Sequence, residues 1–258
     1  MSVADIKALL DEWYHKTNQS VFISSDPICI PHRFSKQQDI EIAGFFAAIM
    51  AWGNRTTIIN KCNALLKLMD DSPYDFVKNA TDVDMKPFVG FAHRTLNDTD
   101  VLYLLAFLRQ WYERNPSLET AFTSGLVQGD ENVGSGLVGF YNNVFSVQPI
   151  SQRTQKHIAT PVKGSACKRL NMYLRWMVRQ DSSGVDFGLW QGIMPSQLIC
   201  PLDVHVHRVA LELGLVTRRQ ANWATAVELT ESLKQFDKDD PVKYDYALFG
   251  LGISGYAK

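Results

Sequence analysis

Asp203, Lys168 and Lys163 are the residues in this chain whose surroundings best suit them for chemistry. Asp203 follows Pro201-Leu202 and precedes Val204-His205-Val206-His207-Arg208-Val209-Ala210-Leu211-Glu212-Leu213-Gly214. Val206, Val209, Ala210 and Leu213 recur at helical spacing, and Gly214 suits the left-handed residue that closes a helix. Asp203 therefore falls at an N-cap, where its side-chain oxygen can accept from the orphan N–H groups of the first turn. The positive end of the helix dipole favours its charged form, giving a carboxylate aimed outwards. Such a group can stabilise developing positive charge or take a proton.

A second chemical element runs from Ser165 to Arg179. Ser165 is the expected N-cap, with Ala166, Cys167, Leu170, Tyr173, Leu174, Met177 and Val178 forming an apolar stripe. Lys168, Asn171, Arg175 and Arg179 fall on the other face. In a first helical turn an ammonium opposes the dipole, and desolvation in a pocket would favour the neutral, nucleophilic amine further. A solvated surface lysine is the competing reading for both Lys168 and Lys163. Asp203-x-His205-x-His207 is not read as a metal site, because helical residues two apart point away from each other.

Asp203-x-His205-Val206-x-Arg208-Val209, followed by Leu213-Gly214-Leu215, resembles the helix–hairpin–helix DNA glycosylase superfamily, which includes endonuclease III. The whole chain also resembles an uncharacterised bacterial family in which Ser165–Asn171 and Pro201–His205 are typical segments. The resemblance implies an all-α, helix–hairpin–helix glycosylase-like fold of two helical lobes with a cleft between them. It implies that Asp203 stabilises a sugar cation, and that Lys168 attacks the sugar C1′ as a Schiff-base nucleophile, with Lys163 in reserve. Thr160-Pro161-Val162-Lys163-Gly164-Ser165-Ala166 stands at the hairpin, keeping the proline but only one glycine. With this degenerate hairpin and the long separation between Lys168 and Asp203, the chain looks nearer to the archaeal 8-oxoguanine glycosylase branch.

DNA is the partner the resemblance implies, with Lys163, Gly164, Arg169 and Arg175 as contacts. Ile49 to Leu66 matches the helix–loop–helix that begins the glycosylase fold, where a wedge residue fills the gap left by a flipped base. Gly53 stands at that place, so Asn54 or Arg55 would take the role unless Gly53 merely ends a helix. Between the two chemical helices, Trp190 is a candidate to stack on an extruded base and Asp186 to contact a base edge or cap a helix. Trp176, beside the apolar stripe, is read as core or base platform. Tyr244–Gly252 resembles the superfamily's last core helix and is read as structural.

Composition bounds these readings. An apolar share of 46% with 21% charged residues describes an ordinary globular chain. No apolar run approaches membrane-span length and no secretory signal is visible, so a cytoplasmic location and no membrane partner are expected. Cys29, Cys62, Cys167 and Cys200 are widely spaced, which predicts reduced thiols, no metal, no iron–sulfur cluster and no other cofactor. The net charge of −1 argues against indiscriminate nucleic-acid binding. Its distribution is uneven: from Asn132 to Gln180 there is no acidic residue, while Arg153, Lys156, Lys163, Lys168, Arg169, Arg175 and Arg179 all fall there. A positive face is expected, unless these charges pair with the acidic stretch around Glu228 to Asp240.

The elements that must position these residues read as helices almost throughout: Ala4 to Thr17, Asp39 to Trp52, Thr56 or Thr57 to Leu68, a short one at Ser72-Pro73, Asp98 to Tyr112, and Leu118 to Phe122. Gly134-Ser135-Gly136 and Val147 to Gly164 read as surface connections, and Val144 to Val147 as an ambiguous strand. Residues 1–258 are expected to form one glycosylase-like unit and a monomer, with 40–150 as the first lobe and 151–258 as the catalytic segment. The leading expectation is a base-excision glycosylase, with or without abasic-site lyase activity. The competing classes are a non-catalytic nucleic-acid-binding protein that keeps the fold, and an enzyme acting on a free nucleoside or RNA.

Overall fold

The computed structural model describes residues 1–256. Its helices are α1 (Val3–Thr17), α2 (Ser20–Ile23), α3 (Gln37–Met50), α4 (Arg55–Lys67), α5 (Pro73–Asn79), α6 (Asp98–Tyr112), α7 (Thr120–Thr123), α8 (Gly134–Val144), α9 (Lys168–Val178), α10 (Val204–Glu212), α11 (Trp223–Lys234) and α12 (Asp245–Ser254). A two-residue antiparallel pair, β1 (Ala92–His93) and β2 (Leu96–Asn97), is the only sheet among the described residues, with Ala92 opposite Asn97 and His93 opposite Leu96. The all-α expectation holds. The strand signal at Val144 to Val147 does not: Val144 ends α8, and Phe145 to Val147 form no strand. The chain divides into two compact units. One comprises Met1–Phe22, Val127–Gly134 and Thr160–Lys258, and the other Ile23–Leu126 and Ser135–Ala159.

The unit of residues 23–126 and 135–159 is built on α3, which is buried from Ile40 to Met50 because its sequence is apolar on every face. The one carboxylate in that run, Glu41, is fully buried and satisfied by Tyr112 Oη and Ser117 Oγ, each donating at 2.6 Å, and by Leu118 N at 2.9 Å. Asn54 ends the turn after α3 and caps α4, accepting from Thr57 N at 3.1 Å. Gly134-Ser135-Gly136, expected as a connection, instead opens α8. Packing overrides the poor helix propensity of glycine here: a Cβ on Gly139 would lie 2.5 Å from Gly125 Cα, so only glycines permit this approach. Phe140 consequently stacks on Phe122 at 4.0 Å. Asp100 is buried by the same logic as Glu41, accepting from Thr154 Oγ1 at 2.9 Å and from Arg153 Nε at 3.2 Å, with His157 Nε2 3.2 Å away.

The other unit is organised around α9. Every residue from Leu170 to Val178 is buried, including those expected on a polar face. Helix α1 packs along α12, where Gly250 meets Trp13 and Thr17. Helix α10 crosses α12 at Gly252, whose hydrogen points at His205: a Cβ there would sit 2.8 Å from His205 Cβ. The expected N-cap at Ser165 is displaced. The residues before α9 form a turn at Pro161–Lys163, then Gly164 and Cys167 both take left-handed conformations, at φ 73° and 51°. Ser165 Oγ accepts from Cys167 N at 3.1 Å inside this turn, and the helix begins only at Lys168.

Candidate functional site

Asp203 caps α10 as its sequence predicts. One oxygen, Oδ1, accepts from both His205 N and Val206 N at 2.9 Å. Oδ2 accepts no hydrogen bond from any described residue, and the side chain is half-exposed. The cap thus fixes the carboxylate through one oxygen and presents the other. On its inner side α10 is held by His207, whose Nε2 donates to the Arg218 carbonyl at 2.9 Å, and by Arg208, which donates to the Gly252 carbonyl at 3.2 Å. His205 and His207 therefore serve two different contacts.

Lys168 is the first residue of α9 and is half-buried. Its Nζ lies 3.7 Å from Met172 Sδ and forms no ion pair among the described residues. One full heptad along the same face is Arg175, and a further turn on is Arg179. Both guanidinium groups are buried in a carboxylate network. Arg175 is ion-paired with Asp245 and, at 3.3 Å, with Asp186. Arg179 reaches Asp181 at 2.7 Å, Asp240 at 2.8 Å and Asp186 at 3.0 Å. Tyr246 donates to Asp186 at 2.9 Å, its ring beneath the Arg175 guanidinium at 4.1 Å.

Asp245 joins this network to the candidate pair. It opens α12, is 6% exposed, and its carboxyl is pushed up to about 6 by burial. Arg175 opposes that rise, the charge of Asp203 adds to it, and the charge of Lys168 again opposes it. Lys168, Asp203 and Asp245 are therefore electrostatic neighbours, and each stands at the amino end of a different helix, α9, α10 and α12. The partial positive charge at each of these helix ends favours an anionic group beside it. Cys200 lies close enough to feel Asp245, Arg175 and Asp203, but its fully buried thiol is pushed far above its ordinary value. Cys167, next to Lys168, is likewise pushed up to about 12 by burial, so neither thiol competes as a nucleophile at neutral pH.

The other candidate residues are distributed less simply. Lys163 and Gly164 are exposed on the turn before α9, and the Gly164 carbonyl accepts from Trp223 N at 3.2 Å. Arg169 is half-buried, and burial pulls its guanidinium down to about 10, leaving it cationic at neutral pH. Arg175 must be withdrawn as a DNA contact: 5% exposed and committed to two carboxylates, it has no free edge for a phosphate. Trp190 is corrected similarly. It is 1% exposed and packs edge-on against Tyr173 at 5.3 Å, so no ring face remains for a base. Asp186 neither caps a helix nor faces a base, because Arg175, Arg179 and Tyr246 occupy its oxygens. Trp176 is core, at 0% exposure. Asn54 and Arg55 belong to the other unit, at the start of α4.

The expected positive face is diminished by internal pairing. Arg153 bonds Asn97 and Asp100, while Arg175 and Arg179 are neutralised within the core. Asp245 is the residue that sequence reasoning passed over. Its only local signal was an aspartate opening a helix after Pro241, a pattern that ordinarily means capping.

A family model described as "Protein of unknown function (DUF2400)" matches residues 26–254. No curated protein and no solved structure matches the chain.

Proposed function

The chain belongs to the DUF2400 family, and from its site we propose a DNA base-excision glycosylase with abasic-site lyase activity. The observation that carries this reading is the Asp203 carboxylate, which caps α10 through Oδ1 and leaves Oδ2 open, with the amine-bearing Lys168 opening α9 in the same unit. A carboxylate of this kind stabilises the positive charge that builds on a deoxyribose as its base departs with the glycosidic electron pair. In its neutral form Lys168 supplies an electron pair to C1′, and loss of its remaining amine protons with opening of the sugar ring yields the Schiff base. A nearby base, water or a carboxylate such as Asp203, takes those protons. Exposed Lys163 and Gly164, on the turn leading into α9, are suited to contact a DNA phosphate.

The test is borohydride trapping on duplexes carrying an abasic site, 8-oxoguanine or uracil. A covalent adduct from the wild type that is absent in Lys168→Gln is the expected result. Base release without an adduct, lost in Asp203→Asn, would replace the lyase step by attack of water and remove Lys168 from the mechanism. Failure of the wild type to release a base or form an adduct on any of these substrates would overturn the reading.

A further inference from the structure

The segment between α10 and α11 is tied to both halves of the candidate site. His207 of the Asp203 helix donates to the Arg218 carbonyl at 2.9 Å, and Trp223 N donates to the Gly164 carbonyl of the turn before α9 at 3.2 Å. Thr225 Oγ1 closes the segment from within, donating to the Gln220 carbonyl at 2.6 Å, and Asn222 caps α11. Between these anchors Arg218, Arg219 and Gln220 are exposed. Beside them lies an open groove of about 770 Å³, walled by Thr217, Arg218, Trp223, Val227 and Glu228. The groove's one carboxylate, Glu228, is already engaged. It accepts from Thr217 N and Oγ1 at 2.7 Å and pairs with Arg218 at 3.3 Å. Arg219 forms no ion pair among the described residues.

We propose that Thr217–Trp223 is a second phosphodiester-binding surface, on which Arg218 and Arg219 hold a DNA strand beside Asp203. Its occupant is the sugar–phosphate backbone of a duplex. Arg218 lines the groove and pairs with its one acid, while Arg219 next to it in the chain and Lys163, beside the Gly164 that Trp223 bonds, are exposed; a planar guanidinium matches the two oxygens of a phosphate. The half-buried Trp223 ring adds a flat wall against which a deoxyribose can pack. The two backbone hydrogen bonds give the surface its function. They set its distance from the turn at Gly164 and from the Asp203 helix, so a strand seated here is registered against the carboxylate. None of this was legible in the motif that drew attention to Asp203, because Arg218 and Arg219 stand outside it.

The inference rests on the glycosylase reading and is tested separately from it. Binding to a duplex bearing a tetrahydrofuran abasic analogue is measured for wild type, Arg219→Ala, Arg218→Ala/Arg219→Ala and the exposed control Lys238→Ala, between about 50 and 200 mM salt. Each lost phosphate contact lowers the slope of log K against log salt by about 0.9. The expected result is a slope reduced by about 1 in Arg219→Ala and about 2 in the double variant, and unchanged in Lys238→Ala. Wild-type binding with the same slope in every variant would overturn the surface and leave the catalytic reading intact. The expected slopes with no trapped adduct or released base would sustain the surface and remove the catalysis. Wild-type protein that binds no duplex would overturn both, and capture of polyglutamate alone by the arginines would assign the groove to an acidic protein instead.

Discussion

Asp203 holds two positions at once, a helix cap and a proposed catalytic carboxylate, and substitution can separate them. Asparagine caps about as well as aspartate, while alanine at an N-cap costs about 1 kcal/mol. Here Oδ1 accepts two N–H bonds at 2.9 Å, and the asparagine carbonyl can accept both. Removing the charge forfeits about 0.3–1 kcal/mol of dipole interaction. It also relieves repulsion of the buried Asp245 carboxylate, which works in the opposite direction. Asp203→Asn is therefore expected to unfold in urea within about 1 kcal/mol of wild type, and Asp203→Ala about 1–2 kcal/mol below it. Activity should not follow that order. Both variants lack the charge proposed to face the sugar, and loss of one preorganised electrostatic stabiliser slows a reaction by about a hundredfold or more. The assay pairs urea unfolding, followed by circular dichroism, with single-turnover base release and adduct trapping. If Asp203→Asn reacts at the wild-type rate while Asp203→Ala is merely less stable, the carboxylate is a cap and nothing more, and the mechanistic argument collapses.

Two further outcomes follow from the packing. Trp190→Ala removes a fully buried ring set edge-on against Tyr173, and should lower stability by about 3–5 kcal/mol. A variant that kept wild-type stability but bound damaged duplex poorly would restore Trp190 to the base pocket. Asp245 sets a pH dependence. Its carboxyl is raised by burial from 3.8 to about 6 in the folded chain, opposed by Arg175 and Lys168 and assisted by Asp203. Because the native state holds this proton more tightly than the unfolded one, the contribution is complete below 3.8 and is lost as pH rises through about 6. The stability difference between wild type and Asp245→Asn should drift against the wild type across that window, by up to about 3 kcal/mol. A difference independent of pH between 3.8 and 6 would show that Asp245 titrates as an ordinary carboxylate.

The two candidate catalytic residues differed in how well their local structure could be read. The cap at Asp203 depends on N–H groups two and three residues away, and the Val206, Val209, Ala210 and Leu213 stripe marks the helix it opens. The start of α9 was misread by two residues. A serine before an apolar stripe is a sound local signal, but two αL conformations, at Gly164 and at Cys167, keep the chain out of the helix until Lys168. The cysteine takes that conformation without a glycine's freedom, so nothing in its residue type announced it.

Helical periodicity, the end signals of most helices and the Asp203 cap were determined by the sequence alone, because they are set by interactions within a turn or two of the chain. Which cations stay on the surface was decided only in three dimensions. Lys168, Arg175 and Arg179 share one face of α9 and look equivalent along the sequence, yet Arg175 and Arg179 are buried against Asp186, Asp240 and Asp245 while Lys168 remains half-exposed. Those acids lie in later segments, and a buried guanidinium is tolerated only where folding delivers enough carboxylate to offset its desolvation. The same holds for Asp245. Its link to Lys168 and Asp203 arises where three helix ends, far apart in the chain, come within reach of one another's charge.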